Sequence, residues 1–339
     1  MREYRESYEQ SDSSNKLLWI VLAIVGGVMV VGVLVCGGIG YLFYQALQGV
    51  RTSVAQAQAQ MQVAMEQQVQ VPELDLKDED YAKARAQFKT KLVKKGPAPQ
   101  QWKQLHPPAN VEVLDFKSGN LSLKAWVNPP SNPGKRKFPG VLFLHGGYAF
   151  DDEDWEMTQP LREAGYVVLA PMLRGENGQA GSFTMFYSEV DDVLAAAGRL
   201  AKLPYVDDKH LYVTGHSAGG TLALLAAMTS PRFRAAASFS GSPNLQAFVQ
   251  QWRTAVPFDG SDVREFEMRS PMAYATSFKC PVRLYYGDQE LFFTEPSLTT
   301  AQRAKTKKLD VEAVVVPGDH MSSVPAGMQR AIEFFDEQK

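Results

Sequence analysis

Two cysteines in the whole chain, Cys36 and Cys280, are too few for a disulfide framework or a thiolate metal site. A basic excess is missing as well: 35 Lys and Arg stand against 37 Asp and Glu, a formal charge of −2. Nucleic-acid binders normally carry a surplus of positive charge, so no nucleic-acid partner is expected. Histidine is scarce, with five in 339 residues, so each can be weighed as a catalytic base. Charge is absent altogether between Lys16 and Arg51. That gap excludes an ordinary surface helix, which needs a polar face.

Residues 17–44 are almost wholly apolar, and about 20 residues suffice to cross a hydrocarbon core. A cleaved signal peptide has an apolar region of only ~7–15 residues. The run therefore predicts one uncleaved transmembrane anchor. Val35 ahead of Cys36 is not the small residue a lipoprotein signal requires. Arg2, Arg5 and Lys16 precede the anchor and Arg51 follows it, which places the N-terminus inside the cell membrane and the bulk of the chain outside. The expected organisation is a cytoplasmic tail over 1–16, the anchor over 17–44, a stalk and linker over 45–109 and a folded domain over 110–339. A weak heptad over 52–71 suggests a helical stalk and leaves self-association through it open. Residues 75–95 read as a charged helix, closed by Gly96-Pro97-Ala98-Pro99 and His106-Pro107-Pro108.

From about Asn110 the pattern becomes apolar runs alternating with helical stretches. Strands are expected at 111–117, 121–127, 141–144, 166–170, 211–214, 235–239, 282–286 and 311–316. Helices are expected at 186–201, 221–228 and 329–337. Apolar strands interleaved with helices predict an α/β domain with a mostly parallel sheet. Ligands bind at the carboxyl ends of strands in such sheets.

The strand at 211–214 runs into Gly215-His216-Ser217-Ala218-Gly219-Gly220 and then an apolar helix. This is a G-x-S-x-G nucleophile elbow in its strand–turn–helix setting. The turn is sharp, so small residues are needed two before and two after Ser217. The helix N-terminus favours negative charge developing there. The triad order Ser, acid, His leaves one base, because His320 alone of the five histidines follows Ser217. The acid falls between them, and Asp288 and Glu290, just after the strand at 282–286, are both candidates. Either would accept the Nδ1 proton of His320 and fix its tautomer. His145-Gly146-Gly147-Tyr148 follows another strand, so the N–H of Gly147 or Tyr148, with that of Ala218, is expected to form an oxyanion hole. A segment over 242–274 with Phe248, Trp252 and Phe258 either covers the site as a lid or packs as ordinary helix.

From about 111 to 337 the chain resembles an α/β-hydrolase, most closely the catalytic domain of the prolyl oligopeptidase family. The likeness is carried by Leu144-His145-Gly146-Gly147, by the stretch from Gly165 to Pro171 with Arg174-Gly175, by Val206-Asp207, by Arg269-Ser270-Pro271 and by Cys280-Pro281-Val282. It implies an α/β-hydrolase fold with a mostly parallel central sheet flanked by helices, here preceded by the transmembrane helix and helical stalk. Spacing in that family puts the acid three residues after the strand-end glycine, which favours Glu290 over Asp288. The resemblance gives Arg174 a bracing role in its loop. The reading is a membrane-anchored serine hydrolase that cleaves a small-molecule ester or a peptide through an acyl-enzyme, with no metal or organic cofactor. The short stretch before the first strand leaves no room for a gating domain and favours an esterase over a peptidase. A serine-type peptidase, a catalytically silent binding domain and an acyltransferase are the alternatives.

Overall fold

The computed structural model describes residues 74–339 apart from 253 and 255. The tail over 1–16, the anchor over 17–44 and the stalk up to residue 73 lie outside the described residues. Among the described residues no helix is long and apolar enough to cross a membrane.

Strands β1 (Glu112–Ser118), β2 (Leu121–Val127), β3 (Phe138–Leu144), β4 (Val167–Pro171), β5 (Val206–His216), β6 (Ala235–Phe239), β7 (Val282–Gly287) and β8 (Val311–Val316) make one sheet. Its order is β1-β2-β4-β3-β5-β6-β7-β8. β1 and β2 form a hairpin and β2 pairs antiparallel with β4; all other pairings are parallel. The helices are α1 (Tyr81–Gln87), α2 (Asp152–Met157), α3 (Gln159–Glu163), α4 (Glu189–Ala201) and α5 (Ala218–Thr229). They continue with α6 (Leu245–Trp252), α7 (Val263–Glu267), α8 (Leu291–Thr306) and α9 (Val324–Glu337).

Both faces of the sheet are covered, which is why β4 and β6 are buried along their whole length. Successive residues serve opposite layers. Leu142, Leu144, Leu169 and Val213 join the core built with α4 and α5, whereas Val141, Phe143, Val168 and Tyr212 join Met328, Ala331 and Phe335 of α9. The chain leaves β3 for β4 on one side and returns to β5 on the other. The strand order reverses there, with Leu144 beside Gly215, and opens a crevice at the carboxyl ends.

Three departures from the sequence reading have physical causes. β5 begins at Val206, well before the apolar run at 211–214, because its polar first part pairs with Phe138 and Pro139 across a register shift at Pro139/Gly140. α8 was not expected; it is polar in sequence and holds Pro296, which removes a hydrogen bond from a helix interior. The third concerns residues 75–95, read as a charged helix. Within 75–95 only α1 is helical. Asp80 caps its start and Phe88 leaves it in extended conformation. Tyr187 Oη donates to the Phe88 carbonyl (2.8 Å), satisfying an end that would otherwise be orphaned. Tyr81 is fully buried and its Oη donates to Met268 O (2.8 Å). Further on, Leu92 bridges to Phe258.

Candidate active site

Ser217 stands between β5 and α5 at φ 54° and ψ −116°, a backbone region that L-residues avoid. Neighbouring backbone leaves no room for side chains around it. A Cβ at Gly215 would come within 2.5 Å of the Gly219 carbonyl and 2.6 Å of Leu144 O, and one at Gly219 would overlap Leu144 O. The strain is held from outside as well, because Ser217 N–H donates to Phe239 O (2.8 Å).

His320 lies in the loop after β8. Its Nδ1 is 2.6 Å from Glu290 Oε1. An ionised carboxylate only accepts, so Nδ1 carries a proton, and in the neutral ring the lone pair is then on Nε2. Burial opposes charge on Glu290, but hydrogen bonds from His320, from Ser240 Oγ (2.5 Å) and from Gly287 N–H (2.7 Å) outweigh it and hold the carboxyl below its ordinary range. The imidazole is enclosed on two sides. Phe293 stacks on it with centroids 5.6 Å apart, and the His216 ring lies at 4.7 Å. His216 Nε2–H donates to His320 O (2.8 Å), and burial pushes the His216 pKa down to about 4. His216 is therefore neutral near pH 7 and acts as a brace.

The structure brings Glu290, not Asp288, to His320. Asp288 Oδ1 accepts from Gly318 N–H (2.9 Å), and Gln289 N–H donates to Gly318 O (3.1 Å), so this carboxylate ties the β7 loop to the β8 loop. Arg174 makes two bonds to Asp192, at 2.8 and 2.7 Å, which fixes the loop after β4.

Gly147 and Tyr148 follow β3, and Gly147 adopts φ 61°. The turn is braced from below. His145 Nε2 faces Glu176 Oε2 (2.9 Å) and its Nδ1 faces Gly146 O (2.9 Å), so both ring nitrogens meet acceptors. Burial disfavours the charged ring, but the Glu176 carboxylate wins and raises the His145 pKa. Gly146 N–H donates to Asp154 Oδ1 (3.2 Å). The Tyr148 ring packs on Phe183 (4.8 Å) and Phe186 (6.1 Å), while its N–H donates to Gln100 Oε1 (2.7 Å). Ala218 is the first residue of α5, where backbone N–H groups have no intrahelical acceptor.

Ser217, Glu290 and His320 line one open cavity of about 670 Å³. Phe248, Trp252, Phe292 and Phe293 form much of its wall, with Trp252 edge-on to Phe292 at 4.7 Å. Of the three aromatics singled out in the 242–274 segment, Phe248 and Trp252 are thus at the site. Phe258 is instead buried against Phe266 and the Arg269 guanidinium. Among the described residues no group of three or more His, Cys, Asp or Glu is placed to hold a metal ion. Sequence reasoning missed Ser240, His216 and Gln100. Ser240 had a signal, a hydroxyl just past the carboxyl end of β6; the other two had none.

The family model for the prolyl oligopeptidase family matches residues 153–337. That span includes Ser217, Glu290 and His320. The uncharacterized peptidase YuxL of Bacillus subtilis is 26% identical over 198 residues, 53% of this chain and 30% of that protein. A second uncharacterized peptidase of B. subtilis, YtmA, is 24% identical over 208 residues, 57% of this chain and 76% of that protein. Acylaminoacyl peptidase of Pyrococcus horikoshii shares the fold, with a TM-score of 0.56 at 22% identity over 66% of this chain and 40% of that one. The chain thus spans under half the length of YuxL and of the archaeal enzyme. With the match to its model extending over more than half of the sequence, the chain belongs to the prolyl oligopeptidase family.

Proposed function

We propose that this protein is a serine hydrolase of the peptidase type that cleaves small peptide or aminoacyl amides, with Ser217, His320 and Glu290 as its triad. The observation that carries the reading is the Glu290–His320 pair lining one cavity with a strained Ser217. Ser217 Oγ attacks the acyl carbon and passes its proton to His320 Nε2. The Nδ1–H bond to Glu290 stabilises the imidazolium, and the N–H groups of Ala218 and the Gly147–Tyr148 turn receive the oxyanion. His320 then protonates the leaving amine, and water resolves the acyl-enzyme by the same path.

The expectation of an esterase rested on the lack of room for a gating domain, and the comparisons do not support it. YtmA carries the name peptidase although 76% of its length lies within the matched region. A short chain therefore does not argue for ester substrates. The aromatic wall of Phe248, Trp252, Phe292 and Phe293 suits an apolar group beside the scissile bond. The test is a fluorophosphonate probe, with the labelled peptide located by mass spectrometry, followed by matched aminoacyl p-nitroanilides and esters bearing small or bulky apolar groups. The expected result is phosphonylation of Ser217 and turnover of the anilides, fastest for bulky groups. Hydrolysis confined to esters would return the esterase reading.

The single-pass anchor over residues 17–44 is part of this proposal on the strength of its uncharged apolar run. The full-length chain is expected to stay with the membrane pellet after alkaline washing; release into the supernatant would remove the anchor.

A further inference from the structure

The segment between α1 and β1 passes over the oxyanion turn. It is pinned there by two backbone bonds, Ala98 N–H to Gly175 O and Phe183 N–H to Gly96 O, each 2.9 Å. Two residues further on, Gln100 lays its carboxamide across Gly147 and Tyr148. Its Oε1 accepts from Tyr148 N–H at 2.7 Å. The carboxamide lies so close to Gly147 that a Cβ there would overlap Oε1 and come within 3.3 Å of both Cδ and Nε2. A neutral carbonyl oxygen bonded to this turn makes the contact that an acyl oxygen needs as it gains charge.

Beyond Gln100 the chain is held by the Trp102 ring over Gly178 and by Leu105 against the Trp126 cluster, while Gln100 itself stays at the surface. Residues 100–104 are exposed, and Lys103 pairs with Asp152 at 3.0 Å on the open surface, where ion pairs contribute little. Gln100 is itself exposed, so its side chain can turn into water without vacating a buried position.

We propose that Gln100 is a reversible pseudo-substrate plug, which occupies the oxyanion turn in the free enzyme and must be displaced by substrate. The proposal rests on the serine-hydrolase mechanism above and adds a built-in competitor to it. The plug lowers the fraction of enzyme ready to bind, and apparent affinity falls by that fraction. A neutral hydrogen bond of ordinary net strength corresponds to roughly a two- to tenfold effect. Once displaced, the plug plays no part in the chemistry, so the effect belongs to KM and not to kcat.

The experiment uses the full-length chain and compares wild type with Gln100→Ala, Gln100→Glu and Gln101→Ala, reading fluorophosphonate labelling rate and steady-state kinetics on one ester. Gln100→Ala should raise labelling rate and kcat/KM by roughly two- to tenfold, through a lower KM. Gln100→Glu presents an anionic oxygen that bonds the same N–H about twice as strongly. It should lower kcat/KM near neutral pH, and the deficit should shrink as the pH falls and the new carboxyl protonates. That pH rescue is a response a merely structural residue would not give. Gln101→Ala, one position along the exposed strap, should match wild type. Unchanged or reduced kcat/KM in Gln100→Ala would overturn the plug. Ser217→Ala separates the two levels: labelling that persists in it would overturn the triad, whereas labelling that vanishes in it but is unmoved by Gln100→Ala would overturn the plug alone. A probe that labels neither wild type nor Gln100→Ala would overturn both.

Discussion

Ser217→Ala should remove phosphonate labelling and cut turnover by on the order of 10⁴-fold or more, with thermal stability nearly intact. The stability expectation follows from the contacts, because Ser217 is held through its backbone and the Oγ has no structural hydrogen bond among the described residues. Glu290→Gln should cost roughly 10³- to 10⁴-fold in kcat. A carboxamide can turn its NH₂ toward the ring, and a proton acceptor at Nδ1 would then strand the proton on Nε2, where the lone pair is needed. In that orientation the amide oxygen stands where Oε2 stood and still accepts from Ser240 Oγ and Gly287 N–H, so the loss falls on the His320 tautomer. Asp288→Asn keeps an oxygen for Gly318 N–H and should cost less than about tenfold. Single-turnover rates on one activated ester, with melting curves beside them, decide this. Equal losses in Glu290→Gln and Asp288→Asn would pass the acid role to Asp288. The lowered Glu290 pKa also has a sign: its contribution to stability is present above the ordinary carboxylate range near pH ~4.3 and is lost as the pH falls through the depressed value.

Much of this site was legible because its constraints are local. The elbow needs Gly215 and Gly219 at fixed offsets from Ser217, since a methyl group at either would meet backbone. Chain order then singled out His320, and the apolar runs located β6 and β8 to the residue. The choice between Asp288 and Glu290 was not local. Both leave β7 together, and only the fold of the β8 loop decides which one meets Nδ1 and which one meets Gly318. Ser240 and His216 escaped for the same reason, since their partners lie 50 and 104 positions away.

The N-terminal strap was hidden by its composition. Gly96-Pro97-Ala98-Pro99 reads as a linker because prolines lack N–H donors and break regular elements. Yet Ala98 and Gly96 make the backbone bonds that set Gln100 over the Gly147–Tyr148 turn. A segment without regular structure is invisible to hydrophobic periodicity even when it is held in one place. Exposure of Gln100 adds to this, because no burial pattern marks a polar side chain that works at the surface.

Arg269→Leu should destabilise the fold by about 3–5 kcal/mol, the scale for breaking a buried ion pair by removing one partner. Arg269 belongs to the Arg269-Ser270-Pro271 stretch that carries part of the family likeness, and it is fully buried. Its Nη1 meets Glu265 Oε2 (2.5 Å) and Glu265 O (2.7 Å), its Nη2 reaches Thr90 Oγ1 (2.8 Å), and its Nε donates to Met185 O (2.8 Å). Leucine would leave the buried Glu265 carboxylate without its cation and several carbonyls without donors. The effect should spread to the site. Met185 and Phe186 sit at φ 55° and 71°, a conformation costing about 1–3 kcal/mol each that persists only when neighbours enforce it. Phe186 and Phe183 support the Tyr148 ring, so loosening this loop should loosen the Gly147–Tyr148 turn. Melting should fall by on the order of 10 °C, and labelling of Ser217 should slow in the protein that remains folded. Arg269→Lys keeps the charge but not the planar fork, so it should recover only part of the loss. The double variant Arg269→Leu with Glu265→Gln should be more stable than Arg269→Leu alone, because it removes the stranded charge. If Arg269→Leu cost less than about 1 kcal/mol, the buried pair would be replaceable by apolar packing, and the strained loop at 185–186 would owe its shape to the aromatic contacts alone.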